Sequence, residues 1–297
     1  MNTETALAQL GISIADLTPE QRRKFDEDGY FVVEDVFSPA EVQEMRSEFD
    51  RLRSIEGEFG GHEVHIEPGA PRLSNLFQVA GLRQVSVMQA DTCCRRLSPW
   101  RDSGLFPQCP QPAQGGGALH SDVPRLTPTD WRVVNSMVML DDMTPTNGPT
   151  RVVPGSHNWT PINVPDNNMG EVERVVGRPE DAADIPKDPY APHPKEVRLT
   201  GTAGSVAVIN GHIWHGGTRN ESGASRQVLH LAIGRRDLPP QLNEREHLTP
   251  YLYVRTNPSQ KFLLDIEGAT PKVMGYPPLP TSARTWAAVE TVVGDHH

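Results

Sequence analysis

The sequence predicts a mostly β protein with flanking helices, built as an antiparallel sandwich or jelly roll. Five segments in its middle and C-terminal parts are rich in Val, Ile and Leu and are bounded by turns such as PTNGPT, GTAG and NESGAS. Long helices do not alternate with these segments, as they would around a parallel sheet. We expect strands at residues 131–140, 150–153, 196–199, 205–210 and 226–233.

Two helices near the N-terminus carry clear start signals. Thr18 is predicted to cap the first, with Pro19 at the first helical position and Gln21 three residues after the cap. Gly29 then ends this helix, and a short strand is expected at residues 30–36. The second helix repeats the start signal with Ser38, Pro39 and Glu41. It also has an apolar stripe, which consists of Val42, Met45, Phe49 and Leu52.

We expect one domain over residues 1–297, with a helical N-terminal part at 1–90, a jelly-roll core at 115–240 and a C-terminal tail at 241–297. The segment 161–195 is polar and rich in proline, so we expect it to be a surface insertion or a lid. Residues 91–117 show no clear period and lack strand character. All three cysteines fall in that segment, and without a CxxC pair or a zinc spacing they are predicted to be free thiols.

The composition argues against two classes of partner. The formal net charge of −10, from 38 acidic and 28 basic residues, disfavours binding to nucleic acid or to an anionic membrane. The N-terminus lacks the basic start and apolar stretch of a signal peptide. No apolar run reaches the roughly 20 residues that span a bilayer. We therefore expect a cytoplasmic protein that acts on a small-molecule substrate.

Residues 118–123, ALHSDV, hold a candidate metal site. On a strand, side chains at i and i+2 point to the same side, so His120 and Asp122 can ligate one metal ion while Ser121 faces away. Two histidines and one carboxylate on one face of an octahedron form the arrangement used for non-haem Fe(II), which leaves three positions open. HxD alone is a weak signal, and the second histidine must come from elsewhere.

The stretch NGHIWHGGTRNESGASR at 210–226 supplies two candidate histidines. His212 and His215 are three residues apart, so in an extended segment only one of them faces the metal. The polar turn NESGAS is predicted to reverse the chain as a hairpin, which would place Arg226 beside the strand end that carries His215. Because a guanidinium binds both oxygens of a carboxylate, Arg226 favours His215 and implies an anionic co-substrate on the metal.

Each of these residues also has an ordinary interpretation. Taken singly, His215 is more often a loop histidine, and Arg226 is more often a surface ion-pair partner. His212 is expected to be packed or at the surface, and His157 in PGSH to shape a turn. The functional interpretation depends on the joint pattern.

These segments together resemble the phytanoyl-CoA dioxygenase family. HSD at 120–122, MLDDMTPTNGPTRVVPGSH at 139–157 and HGGTRNESGASR at 215–226 occur in that family's order, and LTPEQRRKFDEDGYFVVEDVFSPAEV resembles its N-terminus. The resemblance covers most of residues 18–265. It implies a double-stranded β-helix and an enzyme that uses Fe(2+), 2-oxoglutarate and O2. Among its members, the sequence resembles bacterial enzymes that modify small natural products.

By position, the resemblance implies that His120, Asp122 and His215 are the iron ligands and the catalytic centre. Arg226 matches the arginine that holds the distal carboxylate of 2-oxoglutarate. The implied reaction converts 2-oxoglutarate and O2 to succinate and CO2 and oxidises a substrate C–H bond, with hydroxylation as the default outcome. Related halogenases need the Asp122 position empty for chloride, so a carboxylate there favours oxygen transfer, desaturation or ring chemistry.

The sequence departs from the family ahead of the HxD motif. Similar sequences carry a strand there in which polar and apolar residues alternate. They often have a glutamine two or three residues before the histidine of the motif, and this glutamine helps to hold the co-substrate. Here Gly116 and Gly117 occupy that place, and Gln114 is the nearest glutamine. Trp131 and Trp214 are candidates for the substrate pocket, although core packing is the more common role of each.

Two other function classes fit parts of the pattern. A non-catalytic jelly-roll relative could keep the ligands and serve as a binding or regulatory module, and the unusual 91–117 segment is its main support. A cupin-like hydrolase or isomerase could use zinc or manganese without a keto acid. Such an enzyme has no need of an arginine eleven residues after its last ligand. The oxygenase accounts for all four residues.

Overall fold

A computed structural model shows two compact units within the chain. The first comprises residues 1–16, 39–110 and 229–297, and the second comprises residues 17–38 and 111–228. The single domain over residues 1–297 stays a prediction. The structure describes residues 1–10, 17–56, 73, 103–108, 117–122, 127, 129–159, 188, 190–235, 237–238 and 243–271.

The described elements are helices α1 to α5, strands β1 to β8 and one 3₁₀ helix. In chain order they are α1 (Thr3–Gln9), α2 (Pro19–Glu27), β1 (Tyr30–Val33), α3 (Pro39–Glu56), β2 (Ser103–Gln108), β3 (Val133–Met139), β4 (Thr150–Val152), the 3₁₀ helix (Ser156–Asn158), β5 (Val197–Arg198), β6 (Val206–Asn210), β7 (His215–Gly217), β8 (Val228–Arg235), α4 (Pro250–Arg255) and α5 (Pro258–Leu263). Strands were expected at the positions of β1, β3, β4, β5, β6 and β8, and the structure confirms all six, five with shorter bounds and β8 shifted two residues toward the C-terminus.

The first unit contains most of the helices. α1 adds to the predicted elements; it is capped by the side chain of Asn2 and packs against α5, where Ser259 Oγ donates to Gln9 Oε1 at 2.7 Å. Its seven residues are too few for a recognisable period. α3 buries its whole predicted stripe, which consists of Val42, Met45, Phe49 and Leu52. The short C-terminal helices expected after Leu248 are α4 and α5.

One prediction about residues 91–117 is wrong. Residues 103–108 form β2, which pairs antiparallel with β8 and places Phe106 opposite Ala232. The segment SGLFPQ contains both Gly and Pro, which weaken any strand signal in a sequence, but a neighbouring strand can still pair with such a segment at an edge. The three cysteines lie outside the described residues.

The second unit contains two layers of strands. In one layer, β6 lies between β1 and β3 and pairs antiparallel with both, so Ile209 has Tyr30 on one side and Asn135 on the other. In the other layer, β4 lies between β5 and β7, with Val152 opposite His215. Apolar residues from both layers form one buried cluster, which contains Met137, Met139, Met143, Val152, Leu199, Ala207, Ile209, Ile213 and Val228.

The predicted start of α2 is confirmed in detail. Thr18 Oγ1 accepts a hydrogen bond from the Gln21 backbone N–H at 3.1 Å, and Gln21 Oε1 accepts one from the Thr18 N–H at 3.1 Å. Gly29 follows the helix with φ of +83°, a conformation that favours glycine. A Cβ there would also lie 2.5 Å from His157 Nδ1, so this glycine lets the end of α2 approach the PGSH turn.

No helix within the described ranges is both long and apolar enough to cross a membrane. Of the predicted lid at 161–195, only residue 188 and residues 190–195 lie in the described part of the chain.

Candidate active site

The two motif segments lie side by side in the second unit. The backbone N–H of His120 donates to His215 O at 2.8 Å, and the N–H of His215 donates to His120 O at 2.8 Å. Further along, the Gly117 N–H donates to Gly217 O at 2.9 Å. The bonded positions Gly117 and His120 are three residues apart in the HxD segment, whereas their partners Gly217 and His215 are two residues apart. The HxD segment therefore has one extra residue and contains a β-bulge. Such bulges re-aim side chains at the edge of a sheet.

Gly216 makes this close pairing possible. A Cβ at Gly216 would lie 2.7 Å from the Ala118 carbonyl oxygen and 3.0 Å from the Gly117 carbonyl oxygen. Both atoms belong to the backbone and cannot swing away. The expectation that the Gly-Gly pair lets other groups come close is therefore confirmed at Gly216, whereas a Cβ at Gly217 would meet only Gly117 N, at 3.8 Å.

The paired segments bring the three predicted ligands together. One ligand atom from each of His120, Asp122 and His215 lies within 4.8 Å of the other two. Asp122 Oδ1 lies 3.8 Å from His120 Nε2 and 3.4 Å from His215 Nε2. Of the two candidate histidines, His215 is therefore the one that joins the HxD pair.

Backbone carbonyls orient both imidazole rings in the same way. His120 Nδ1 lies 2.9 Å from Ala118 O, and His215 Nδ1 lies 2.9 Å from Ile213 O. A carbonyl oxygen only accepts, so each Nδ1 carries the proton and each neutral ring presents an unprotonated Nε2. A metal-bound histidine usually has this arrangement, with its second nitrogen donating to a carbonyl.

Asp122 is held from two sides. Its backbone N–H donates to Gly211 O at 3.0 Å, and the Gly211 N–H donates to Val133 O at 2.9 Å. Its second carboxylate oxygen, Oδ2, accepts a short hydrogen bond from Asn135 Nδ2. Oδ1 is thus the oxygen that faces the two histidines. Asn135 was not among the predicted site residues, although its place in β3, in phase with Met137 and Met139, marks it as a polar residue on an inward face.

The electrostatics of the cluster favour positive charge. Burial, the largest single effect on His215, lowers its pKa, but the charge of Asp122, a hydrogen bond to Asp122 and the Ile213 carbonyl together outweigh it and raise the pKa above the usual value. The negative potential that stabilises a proton on His215 also stabilises a cation between the three residues. Two neutral imidazoles and one carboxylate are a donor set that suits Fe(II). The residues present therefore fit a metal of this class.

His212 and His157 have structural roles. His212 is fully buried, and its Nε2 accepts a hydrogen bond from the Arg132 backbone N–H at 3.0 Å, which confirms that it is packed. His157 is buried in the 3₁₀ helix after β4, and its Nε2 lies 3.1 Å from Asp26 O. It shapes the turn, as expected.

Arg226 is buried, with 5% of its surface exposed. The backbone of the next residue, Gln227, makes two hydrogen bonds. Its carbonyl oxygen accepts from the Leu140 N–H at 3.1 Å, and its N–H donates to Asp141 Oδ2 at 2.7 Å. The predicted hairpin is wrong, however. β7 pairs with β4, whereas β8 pairs with β2, so the two strands on either side of the turn at 220–225 have different partners. The placement of Arg226 beside His215 stays a prediction.

The residues predicted to contact the substrate are Trp131 and Trp214. Trp214 is 7% exposed and packs in a hydrophobic cluster with Leu119 and Val153. The ring of Trp131 lies 5.8 Å from that of His212 and is partly buried. A substrate contact by either tryptophan stays a prediction. Gln114 lies outside the described residues.

A buried arginine near the metal cluster was not predicted. Arg151 Nη1 donates to Ala191 O at 2.9 Å and forms an ion pair with Glu196 Oε2 at 3.0 Å, and Nη2 donates to Gly117 O at 3.0 Å. Arg151 is 4% exposed. One guanidinium thus fixes the chain before β5 and the start of the HxD segment. In the sequence it reads as an ordinary polar residue of TRVV, and only the fold reveals its partners.

Comparison with known proteins decides the family. The sequence model described as phytanoyl-CoA dioxygenase (PhyH) matches residues 25–228. The chain belongs to this family. Its members are Fe(II)- and 2-oxoglutarate-dependent dioxygenases, so the predicted enzyme class is confirmed. An ectoine dioxygenase of Nocardia farcinica is 26% identical over 245 residues, which are 72% of this chain and 76% of that protein.

Solved structures support the fold. HygX from Streptomyces hygroscopicus, with nickel and 2-oxoglutarate bound, matches with a TM-score of 0.52 at 20% identity, over 74% of this chain and 87% of HygX. SnoK, an α-ketoglutarate-dependent carbocyclase from nogalamycin biosynthesis, matches with a TM-score of 0.54 at 18% identity, over 75% and 86% of the two chains. The predicted double-stranded β-helix with flanking helices is thereby confirmed.

Proposed function

We propose that this dioxygenase binds Fe(II) through His120, Asp122 and His215 and hydroxylates a C–H bond of a small natural product. The convergence of these three side chains, from segments more than ninety residues apart, is the observation that carries the proposal. Both imidazoles present Nε2, and Asp122 presents Oδ1. Three ligands on one side of the ion leave room for a co-substrate and O2.

The distal carboxylate of 2-oxoglutarate is assigned to Arg226. This residue is buried, and it precedes Val228 by two positions, so in an extended backbone the two side chains lie on the same side. Val228 belongs to the buried cluster that also contains Met137 and Met139 of β3, the strand that carries Asn135. Arg226 therefore has the burial and direction expected of a carboxylate clamp inside the barrel.

The protein residues then have separate tasks. When bound, Fe(II) with 2-oxoglutarate and O2 supplies the oxidising chemistry that yields succinate and CO2. The two backbone carbonyls at Ala118 and Ile213 keep His120 and His215 in the tautomer that presents Nε2. Asp122 contributes the negative charge, and its presence favours oxygen transfer, desaturation or ring chemistry over halogenation. Arg226 orients the keto acid by its far end.

The substrate class is inferred from relatives. The similar proteins include an ectoine dioxygenase and an enzyme of nogalamycin biosynthesis, and both names indicate small polar or polycyclic metabolites. Trp131 and Trp214 stay candidates for contacts with such a molecule. Hydroxylation is the simplest outcome for this ligand set, and the carbocyclase among the structural matches makes ring chemistry the alternative.

Succinate release tests this proposal. The purified protein, supplied with Fe(II), ascorbate and 2-oxoglutarate, is incubated in air with a library of cyclic amino acids, aminoglycosides and polyketides. We expect substrate-dependent succinate together with a product 16 mass units heavier than its substrate. The Asp122→Ala variant serves as the control without a complete ligand set. No succinate above that control with any substrate, from protein that binds iron, would favour the non-catalytic binding module instead.

A further inference from the structure

We infer that Asn135 is a positioning residue for the metal site, which holds Asp122 so that one carboxylate oxygen faces the metal and the other is kept off it. The inference rests on the proposed function, because it assumes that Asp122 is a ligand. Asn135 lies in β3, 13 residues after Asp122 in the chain.

The hydrogen bond has a defined direction. Asp122 Oδ2 can only accept when the carboxylate is ionised, so the Asn135 amide must present its N–H₂ group to it. Oδ1 of the same carboxylate faces Nε2 of His120 and of His215. The two oxygens of Asp122 therefore have different environments before any metal binds.

The backbone makes the arrangement rigid. Asn135 is paired with Ile209 in the centre of the layer formed by β1, β6 and β3. The Asp122 N–H donates to Gly211 O, and the Gly211 N–H donates to Val133 O, two residues before Asn135 in β3. The donor and the carboxylate are thus connected by both a side-chain bond and a short backbone route. Movement of Asp122 alone would break this connection.

The consequence concerns the open coordination positions. A carboxylate whose two oxygens are free can chelate a metal and occupy two positions. Asn135 engages Oδ2 and so favours a single bond from Oδ1. That leaves three positions for the keto acid and O2, which need all of them. A neutral amide is suited to this task because it donates without adding a charge beside the metal.

The test compares two neighbouring residues of β3 that point to opposite faces. Asn135→Leu removes the donor and keeps the number and branching of the side-chain heavy atoms. Ser136→Ala is the matched control, since Ser136 is fully buried one residue away, and within the described residues its hydroxyl has no hydrogen-bond partner. Co(II), which is stable in air, is the probe. Its dissociation constant is measured by equilibrium dialysis, and the visible spectrum of the Co(II)-loaded protein is recorded at saturating metal.

We expect Asn135→Leu to bind Co(II) 10–100-fold more weakly than wild type, as is typical when a partner of a metal ligand is lost. Its Co(II) spectrum should change, because the orientation of Asp122 is no longer fixed, while Ser136→Ala should match wild type in both measurements. A dissociation constant within threefold of wild type, or equal weakening in Ser136→Ala, overturns the inference. Asn135→Val replaces the leucine variant if that protein does not fold, with the same criteria.

The outcome also separates this inference from the proposed function. If wild-type protein does not bind Co(II), the proposed function fails and this inference fails with it. If wild type and Asn135→Leu bind Co(II) equally well and give identical spectra, the ligand assignment stands and only the role of Asn135 is overturned.

Discussion

Gly216→Ala should damage the metal site without altering any ligand. A Cβ at this position would lie 2.7 Å from Ala118 O, which is 0.7 Å closer than the 3.4 Å at which ordinary contact begins. Both clashing oxygens, at Ala118 and Gly117, belong to backbone in the bulge before His120. The only relief is separation of the two segments that carry His120 and His215.

The expected magnitude follows from that separation. Overpacking of a close-packed site costs about 1–3 kcal/mol, which corresponds to a decrease in Tm of about 2–10 °C for a protein of this size. Binding sites tolerate displacements of about 0.5 Å before their geometry fails. A shift approaching the full 0.7 Å should therefore weaken Co(II) binding by at least tenfold. Thermal unfolding and equilibrium dialysis measure the two effects.

Gly217→Ala is the matched control for this prediction. It adds the same methyl group one residue later, where the nearest backbone atom, Gly117 N, would lie 3.8 Å away. We expect its Tm and its Co(II) affinity to stay close to wild type. If Gly216→Ala binds Co(II) as tightly as Gly217→Ala does, the close pairing of the two segments does not position the ligands, and the reasoning fails.

Three further predictions address the residues around the cluster. Arg226→Ala should raise the 2-oxoglutarate concentration required for half-maximal succinate formation by at least tenfold without changing iron content; equal losses of both would make the arginine structural. Arg151→Met leaves the Glu196 carboxylate, which is 12% exposed and still accepts from the His193 N–H, without its cation and should cost about 3 kcal/mol in thermal or urea unfolding, whereas Arg235→Met, in a more exposed ion pair, should cost less than about 1 kcal/mol; similar losses would contradict the burial argument. The raised pKa of His215 predicts that metal affinity is constant at high pH and begins to fall, as pH decreases, above the ordinary histidine value of 6.5, because the protonated ring cannot bind; an affinity that stays constant down to pH 6.5 and falls only below it would contradict this.

The sequence was sufficient for the parts of the molecule that depend on local chemistry. The capping box at Thr18 was predicted because it is a contact between residues three apart. The strand at 206–210 was predicted because it is apolar and bounded by turns. The choice of His215 over His212 was correct, although the hairpin offered as the reason was wrong.

Other features depend on contacts that only the fold creates. β2 has a weak strand sequence and forms through its pairing with β8. The partners of Arg151 lie 34 to 45 residues away in the chain, so no local pattern identifies them. Asn135 could have been noticed as a polar residue on an inward strand face, but its partner Asp122 could not. Spacing alone does not show which partner a strand takes after a turn, so the sequence could not show that β7 pairs with β4 and β8 with β2.

Anaerobic titration with Fe(II) and 2-oxoglutarate tests the central claim most directly. If His120, Asp122 and His215 hold the metal, adding 2-oxoglutarate to the Fe(II)-loaded protein should produce the weak visible charge-transfer band of a keto acid chelated to ferrous iron. The same titration of His215→Ala should give no band. A wild-type spectrum that shows no band at saturating Fe(II) and 2-oxoglutarate would contradict the account.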